Sequence, residues 1–491
     1  MSRFLRFSVV SLALLAGALF FLTGCEGEMG PAGHDGADGE NGLLFEWTYV
    51  GGNGAACTHC HPDIKEAVLT TAHTRAFDDL EVADRTNPYC IQCHTTGWDS
   101  EVAYGNPNIV SYGPDLFGYD DYFGVNTPEA AERRAMLEGV QCESCHGAGG
   151  PNPMEFTPKI SFATILDGDT SVSLCAPCHS GQLGEYTTSG HGTVGGISQE
   201  DFHAEFNRST CRPCHTSEGF IFANDPAYAD YSLPEGYLQN FIGCVTCHDP
   251  HAGEEAGGNP HQLRTLTAVE VAYHPGLAPG DDEVPTMSGY GNAQLCAQCH
   301  HARRDATNVQ GQIANGSSHF GPHGSPQMDM FIGAGCYEIE GYTYEREHQH
   351  NAGIADACVK CHMVRVAVIH GTSQEHSFHT FEPTVDNCLP CHTGIADFDV
   401  EGLQTTVQGL LDDLATRFGF ADAAAMLNEE TGWDAVNEDE SWQPWQREAA
   451  YALFFVANDG SLGVHNPNYA VDLLENAIDS YDANDVGLAN K

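Results

Sequence analysis

The chain has 491 residues, 41% hydrophobic and 18% charged, with Lys+Arg 19 against Asp+Glu 68 and a formal charge of −49. Nucleic acid is excluded as a natural partner, because phosphate binding needs a basic surface. The acid excess attracts cations, although solubility or a salty medium explains it more cheaply than any function.

Arg3 and Arg6 precede an apolar run from Val9 to Leu22. That run is short for a membrane span and suits the h-region of a secretory signal. It ends in Leu22-Thr23-Gly24-Cys25, which resembles the lipobox of bacterial lipoproteins. The resemblance implies a signal peptide over 1–24 and a lipid on Cys25, held stably by more than one acyl chain. A plainly secreted protein that discards Cys25 is the alternative. Glycines at 27, 30, 33, 36, 39 and 42 follow, a strict G-x-y period over 25–42. We read a flexible tether, with a collagen-like segment as the other option, and expect ordered structure from about Leu43.

The next pattern is C-x-x-C-H, which occurs nine times. Its cysteines are Cys57 and Cys60, Cys90 and Cys93, Cys142 and Cys145, Cys175 and Cys178, Cys211 and Cys214, Cys244 and Cys247, Cys296 and Cys299, Cys358 and Cys361, and Cys388 and Cys391. The closing histidines are His61, His94, His146, His179, His215, His248, His300, His362 and His392. Of 20 cysteines only Cys25 and Cys336 lie outside. This is the attachment signature of c-type haem: each thiol adds to one vinyl group, and the histidine is the proximal iron ligand. Zinc knuckles also use C-x-x-C but gather four ligands and do not demand a histidine after each pair. Nine covalent haem c groups are therefore expected, and export fits their attachment.

The motifs, numbered 1 to 9 in chain order, group in threes. CTHCH, CIQCHTTGW and GVQCESCHG match CAPCH, CRPCHTSEGF and IGCVTCHDPH. A free histidine, His73 or His191, lies 16 residues after the first cysteine of each set. LCAPCH at 174–179 and LCAQCH at 295–300 are nearly identical, so a third, divergent set begins there. We read a region 43–395 built from three-haem modules at about 57–150, 175–252 and 296–395. Gly, Pro, Asn, Asp and Thr punctuate it and long apolar runs are missing. Porphyrin then supplies the apolar volume, and without haem this region is expected not to fold.

After His392 the texture changes. Leu403, Val407, Leu410, Leu414 and Phe418 have helical spacing, Trp445 to Val456 is a second helical candidate, and Pro467 opens a third through Val471, Leu474 and Ile478. The fold class expected is mainly α with extensive irregular loops, a multihaem cytochrome c wrapped around nine haems, with a C-terminal helical cap over 396–491.

The second axial ligand decides what such iron does. Histidine on both faces leaves no open position, so the iron moves electrons and binds no substrate directly. His73, His191 and His251 in CHDPH are candidates from the repeat and from their position. His203, His319, His348, His350 and His376 are not separable by pattern. His59 is poorly aimed, His34 lies in the tether, Met363 reads as packing and Cys336 as a small buried residue.

CVKCHM, HTFEPTVDNCLPCH and GSLGVHNPNYAVDLLENA resemble the multihaem superfamily that holds ammonia-forming nitrite reductases and octahaem hydroxylamine oxidoreductases. The resemblance implies His379 and His465 as distal ligands and adds His323 in HFGPHGSPQ. The nitrite reductases carry a catalytic C-x-x-C-K, and here all nine motifs end in His. A hydroxylamine-oxidising site would keep the histidine and cross-link a tyrosine. Lipobox, tether and nine motifs together look more like the outer-surface cytochromes of metal-respiring bacteria. The function expected is electron relay from a lipid anchor on the outer membrane, periplasmic or cell-surface, toward ferric oxides or partner cytochromes. Its donors would be other multihaem cytochromes or quinol-linked proteins, and a filament of copies stays open. A multihaem reductase or oxidase of nitrite, hydroxylamine or tetrathionate, with one open iron, is the alternative, so no catalytic residue is assigned.

Overall fold

The computed structural model describes residues 49–52, 57, 61–98, 118–147, 174–192, 199–206, 208–225, 240–253, 261–317, 319–367, 375–428, 432 and 442–489. The lipobox Cys25, the glycine-rich segment, Cys60, His34 and His59 lie outside them, as do the side chains of His203 and His376. Within the described residues the chain is mainly helical. Its sheet consists of two hairpins, β1 (Val269–Glu270) with β2 (Thr286–Met287) and β3 (Arg365–Ala367) with β4 (Glu375–Ser377), both antiparallel. Among the described residues no helix is long and apolar enough to cross a membrane.

The helices before residue 403 are short, and their starts are chemical. Proline opens Pro62–Leu69, Pro88–His94 and Pro128–Met136, where its missing N–H has no intrahelical partner to lose. Side chains of Asn87, Thr127, Thr216 and Asp305 accept the orphan amides of Tyr89, Ala130, Gly219 and Asn308. Little apolar surface supports these turns: the first set of motifs packs on a small cluster of Tyr49, Phe77, Leu80, Ile91, Trp98, Tyr119 and Leu137.

One hydrogen-bond arrangement occurs twice. Thr96 and Ser144 meet through their hydroxyls at 3.0 Å, and the Gln141 amide donates to both, at 3.1 and 3.3 Å. Ser217 and Thr246 meet at 2.5 Å, and the Gly243 amide donates to both, at 3.1 and 2.9 Å. In each case a hydroxyl just after one motif is tied to a hydroxyl inside the next, so both pairs of motifs are clamped alike. Gly139 brings a third segment close: a Cβ there would stand 2.3 Å from the Thr74 carbonyl. Beside it the Val140 amide donates to the His73 carbonyl at 2.9 Å.

Beyond residue 403 the architecture changes to long helices, Leu403–Arg417, Pro444–Asp459 and Pro467–Ala489, which pack on one another. Val407, Leu411 and Leu414 are buried with Leu453, Phe455 and Leu474, and the cluster takes in Val309, Ile313 and Phe320 from an earlier segment. The stripe is centred on Leu411 rather than Leu410, which is only partly covered together with Leu403 and Phe418. Gly460, at φ 75, ends the second helix in a left-handed cap.

Candidate functional site

Eight of the nine C-x-x-C-H motifs lie wholly within the described residues, and each is one helical turn; in the first, Cys57 and His61 are described. In six of the nine the histidine amide bonds the carbonyl of the first cysteine, at 2.8–3.1 Å, and the motifs of His94, His146 and His362 lie within helices. Residues i, i+3 and i+4 share a helix face, so the turn turns both thiols and the imidazole toward one side. That is the layout a macrocycle attached at two vinyl positions and ligated from below requires.

Four motif histidines have the ring Nδ1 engaged by the protein, which leaves Nε2 for a metal. His94 bonds the Ala76 carbonyl at 2.5 Å, His248 that of His261 at 2.7 Å and His362 that of Phe381 at 2.8 Å. His300 lies 3.3 Å from the amide oxygen of Gln327.

Seven motif histidines face a second imidazole. His179 faces His73 with ring centroids 5.9 Å apart, His146 faces His251 at 6.0 Å, and His300 faces His191 at 6.0 Å. His215 faces His323 at 6.1 Å, His248 faces His379 at 6.3 Å, His392 faces His350 at 6.1 Å and His362 faces His465 at 6.2 Å. An iron held at about 2.0 Å by each nitrogen, with each centroid about 1.1 Å further out, would separate two rings by about 6 Å. The residues present therefore fit an iron between each pair. Ligating imidazoles must be neutral. Burial lowers His73, His248, His251, His300, His350 and His362, and pushes His179, His191 and His323 down to about 4.

Each of the six free histidines singled out in the sequence lies opposite a motif histidine. His350 joins them, oriented by its Nδ1 bond to the Val464 carbonyl at 2.6 Å; His348 packs beside it at 4.8 Å. Among the described residues neither His61 nor His94 has a facing imidazole. Two residues of this site hold positive φ without being glycine: His323 at 76° and Phe381 at 57°. Strain of this kind persists where function over-determines the backbone. Phe381 also packs its ring on His191 at 4.8 Å.

The thiols connect the motifs. Cys57 lies beside Cys142, Cys93 beside Cys178, Cys175 beside Cys244, Cys214 beside Cys299, and Cys296 beside Cys358. Cys93 also approaches the Pro177 carbonyl at 3.9 Å, as Cys299 approaches that of Pro213 at 3.9 Å. Motifs 2 and 4 thus meet in the same manner as motifs 5 and 7.

Sequence reasoning left two contributors unseen. Gln327 sits under His300, and Asp459, buried at the end of a helix, holds His465. An aspartate closing the helix just before GSLGVH was the available signal for the second.

Turns that present two thiols and an imidazole, with further imidazoles set opposite, are the arrangement of multihaem c-type cytochromes, and it is to that group that the chain is similar. The family described as cytochrome c552 matches residues 338–491, and cytochrome c554 and c-prime matches 56–110 and 120–147. The C-type polyheme cytochrome OmcB of Geobacter sulfurreducens is 29% identical over 264 residues, 50% of this chain and 28% of that protein. The match thus spans under a third of its relative's length. Two solved structures are similar: the outer cell wall cytochrome OcwA, with TM-score 0.46, 18% identity, 88% of this chain and 99% of that one; and the undecaheme cytochrome from the S-layer of Carboxydothermus ferrireducens, with TM-score 0.48, 16% identity, 90% of this chain and 70% of that one.

Proposed function

We propose that this chain carries nine haem c groups and relays electrons through the cell envelope, from a lipid anchor on Cys25 toward extracellular acceptors such as ferric oxides or partner cytochromes. The observation that carries the reading is the set of seven facing imidazole pairs, all 5.9–6.3 Å apart. Iron closed on both faces keeps its ligands and exchanges electrons without binding substrate. Thioether sulfurs sit on the macrocycle rim, so motifs with neighbouring thiols bring two rims together. By that rule motif 1 adjoins 3, motif 4 adjoins 2 and 6, and motif 7 adjoins 5 and 8. The strongly acidic composition suits cationic acceptors.

A pyridine haemochrome assay on purified protein is expected to give nine haems per chain, with a ferric EPR spectrum dominated by low-spin signals. Far fewer haems would end the reading. The alternative, reduction or oxidation of a small nitrogen or sulfur compound, would fall on the iron of His61 or His94. A high-spin signal that shifts with nitrite, hydroxylamine or tetrathionate would favour it.

A further inference from the structure

His465 differs from the other histidines of the site in what holds it. Of the Nδ1 bonds described for facing and motif histidines, those of His94, His248, His350, His362 and His379 go to backbone carbonyls, that of His300 to an amide oxygen, and His323 Nδ1 accepts the Gly324 amide. His465 alone in this group bonds a carboxylate, Asp459 Oδ1, at 2.6 Å. Asp459 is 2% exposed. Its second oxygen accepts the Ser461 hydroxyl, and the Ser461 amide at 3.3 Å. Gln404 fixes the Ser461 carbonyl from the neighbouring helix at 3.1 Å.

This placement is costly by itself. Asp459 is the last residue of a 16-residue helix, where the aligned peptide dipoles already present negative charge, and burial adds a desolvation cost. A stable fold gains nothing there from an anion that a neutral residue would not supply. The His465 N–H is the partner that gives the charge a use.

We propose that Asp459 is a positioning residue that sets the reduction potential of the haem in motif 8 below the value its two histidines alone would give. A carboxylate on the far nitrogen fixes the tautomer, gives the ring imidazolate character and raises its basicity toward the metal. A stronger donor favours ferric over ferrous iron, and axial ligation with its outer hydrogen bonds is the lever by which proteins tune haem potentials. Motif 8 adjoins motif 7 through Cys296 and Cys358. Motif 8 also meets motif 9, where the Asn387 side-chain amide donates to the Cys361 carbonyl at 2.5 Å, so a more reducing haem at that point stands between motifs 7 and 9.

The inference rests on the histidine pairing proposed above, and the experiment separates the two. Wild type, Asp459→Asn, Asp459→Glu and Ser461→Ala are purified with haem, counted by pyridine haemochrome and examined by EPR. All are then titrated potentiometrically in the visible bands. High-spin iron in place of the His362–His465 pair in wild type would sink the pairing itself. With the pairing intact, Asp459→Asn is expected to raise the midpoint of about one ninth of the haem absorbance and change the g-values of one low-spin species. Asp459→Glu is expected to restore both. Ser461→Ala, which removes a donor from the carboxylate and leaves it more basic, is expected to lower the same midpoint, and it decides the matter if Asp459→Asn does not assemble. A full set of low-spin haems with titrations that superimpose on wild type would overturn the proposal.

Discussion

His191 offers the sharpest test of the pairing, because position in sequence and position in space point to different haems. It lies 16 residues after Cys175, within the second set of motifs. Its ring nevertheless stands 6.0 Å from His300 of motif 7, at an interplanar angle of 71°, while His179 of motif 4 faces His73. His191→Gly removes an imidazole from one of the nine irons proposed above, so about one ninth of the ferric low-spin signal is expected to become high-spin. Added imidazole should enter the space left and return it. The haem is identified by a double-mutant cycle. With Cys296→Ala and Cys299→Ala the haem of motif 7 is absent, and His191→Gly should then add no high-spin iron. With Cys175→Ala and Cys178→Ala the effect should persist. The reverse pattern, or an unchanged spectrum in the single variant, would refute the pairing.

Three further outcomes follow from packing and charge. Leu414 is fully buried among the long C-terminal helices, so Leu414→Ala should cost about 2–5 kcal/mol in chemical denaturation followed by far-UV circular dichroism; a cost below about 1 kcal/mol would contradict that packing. Glu143 accepts the amides of Val50 and Gly51 at 2.9 and 2.7 Å, and bonds to a charged acceptor are worth about 1.5–3 kcal/mol each. Glu143→Ala should therefore lower the melting temperature and speed hydrogen exchange at both amides. Burial raises the Asp329 carboxyl to about 7, with the Asp459 charge adding to it and the Ala302 amide, at 2.6 Å, only partly offsetting it. The folded protein thus binds this proton more tightly than the unfolded chain, and the associated stability is present at low pH and lost as pH rises from about 4 toward 7, by at most about 1.4 kcal/mol per pH unit. Asp329→Asn should flatten that part of the slope, seen as a stability difference from wild type that grows between pH 5 and 7 and then levels off; a constant difference would place the titration elsewhere.

What the sequence discloses follows how local each constraint is. Thioether attachment and proximal ligation are encoded within five residues, so all nine motifs can be read without a fold. The long C-terminal helices are legible for the same reason: Val407 and Leu414 recur at the helical period, and Pro467 marks a start. Which imidazole faces which is a tertiary matter. His348 and His350 look alike in the sequence, and only the Val464 carbonyl on one ring separates their roles. Between 57 and 392 the apolar residues recur with little period, and the small clusters they form among the described residues join distant segments, so a reading of side-chain pattern has little there to detect.

The direction of the pairings explains why the repeated hydrogen-bond clamp does not amount to a repeated domain. Thr96 with Ser144 and Ser217 with Thr246 show one local solution used in two places. Yet His73 of the first set faces His179 of the second, His191 of the second faces His300 of the third, and His251 near the end of the second reaches back to His146 of the first. The third set receives His465 from the turn between the last two long helices. Each set is thus short of at least one imidazole that another segment supplies, and its own apolar cluster is small. Linkage of this kind makes each of the seven facing pairs a tertiary contact: an imidazole that joins two segments orders both at once, and its burial is supplied by the segments it joins.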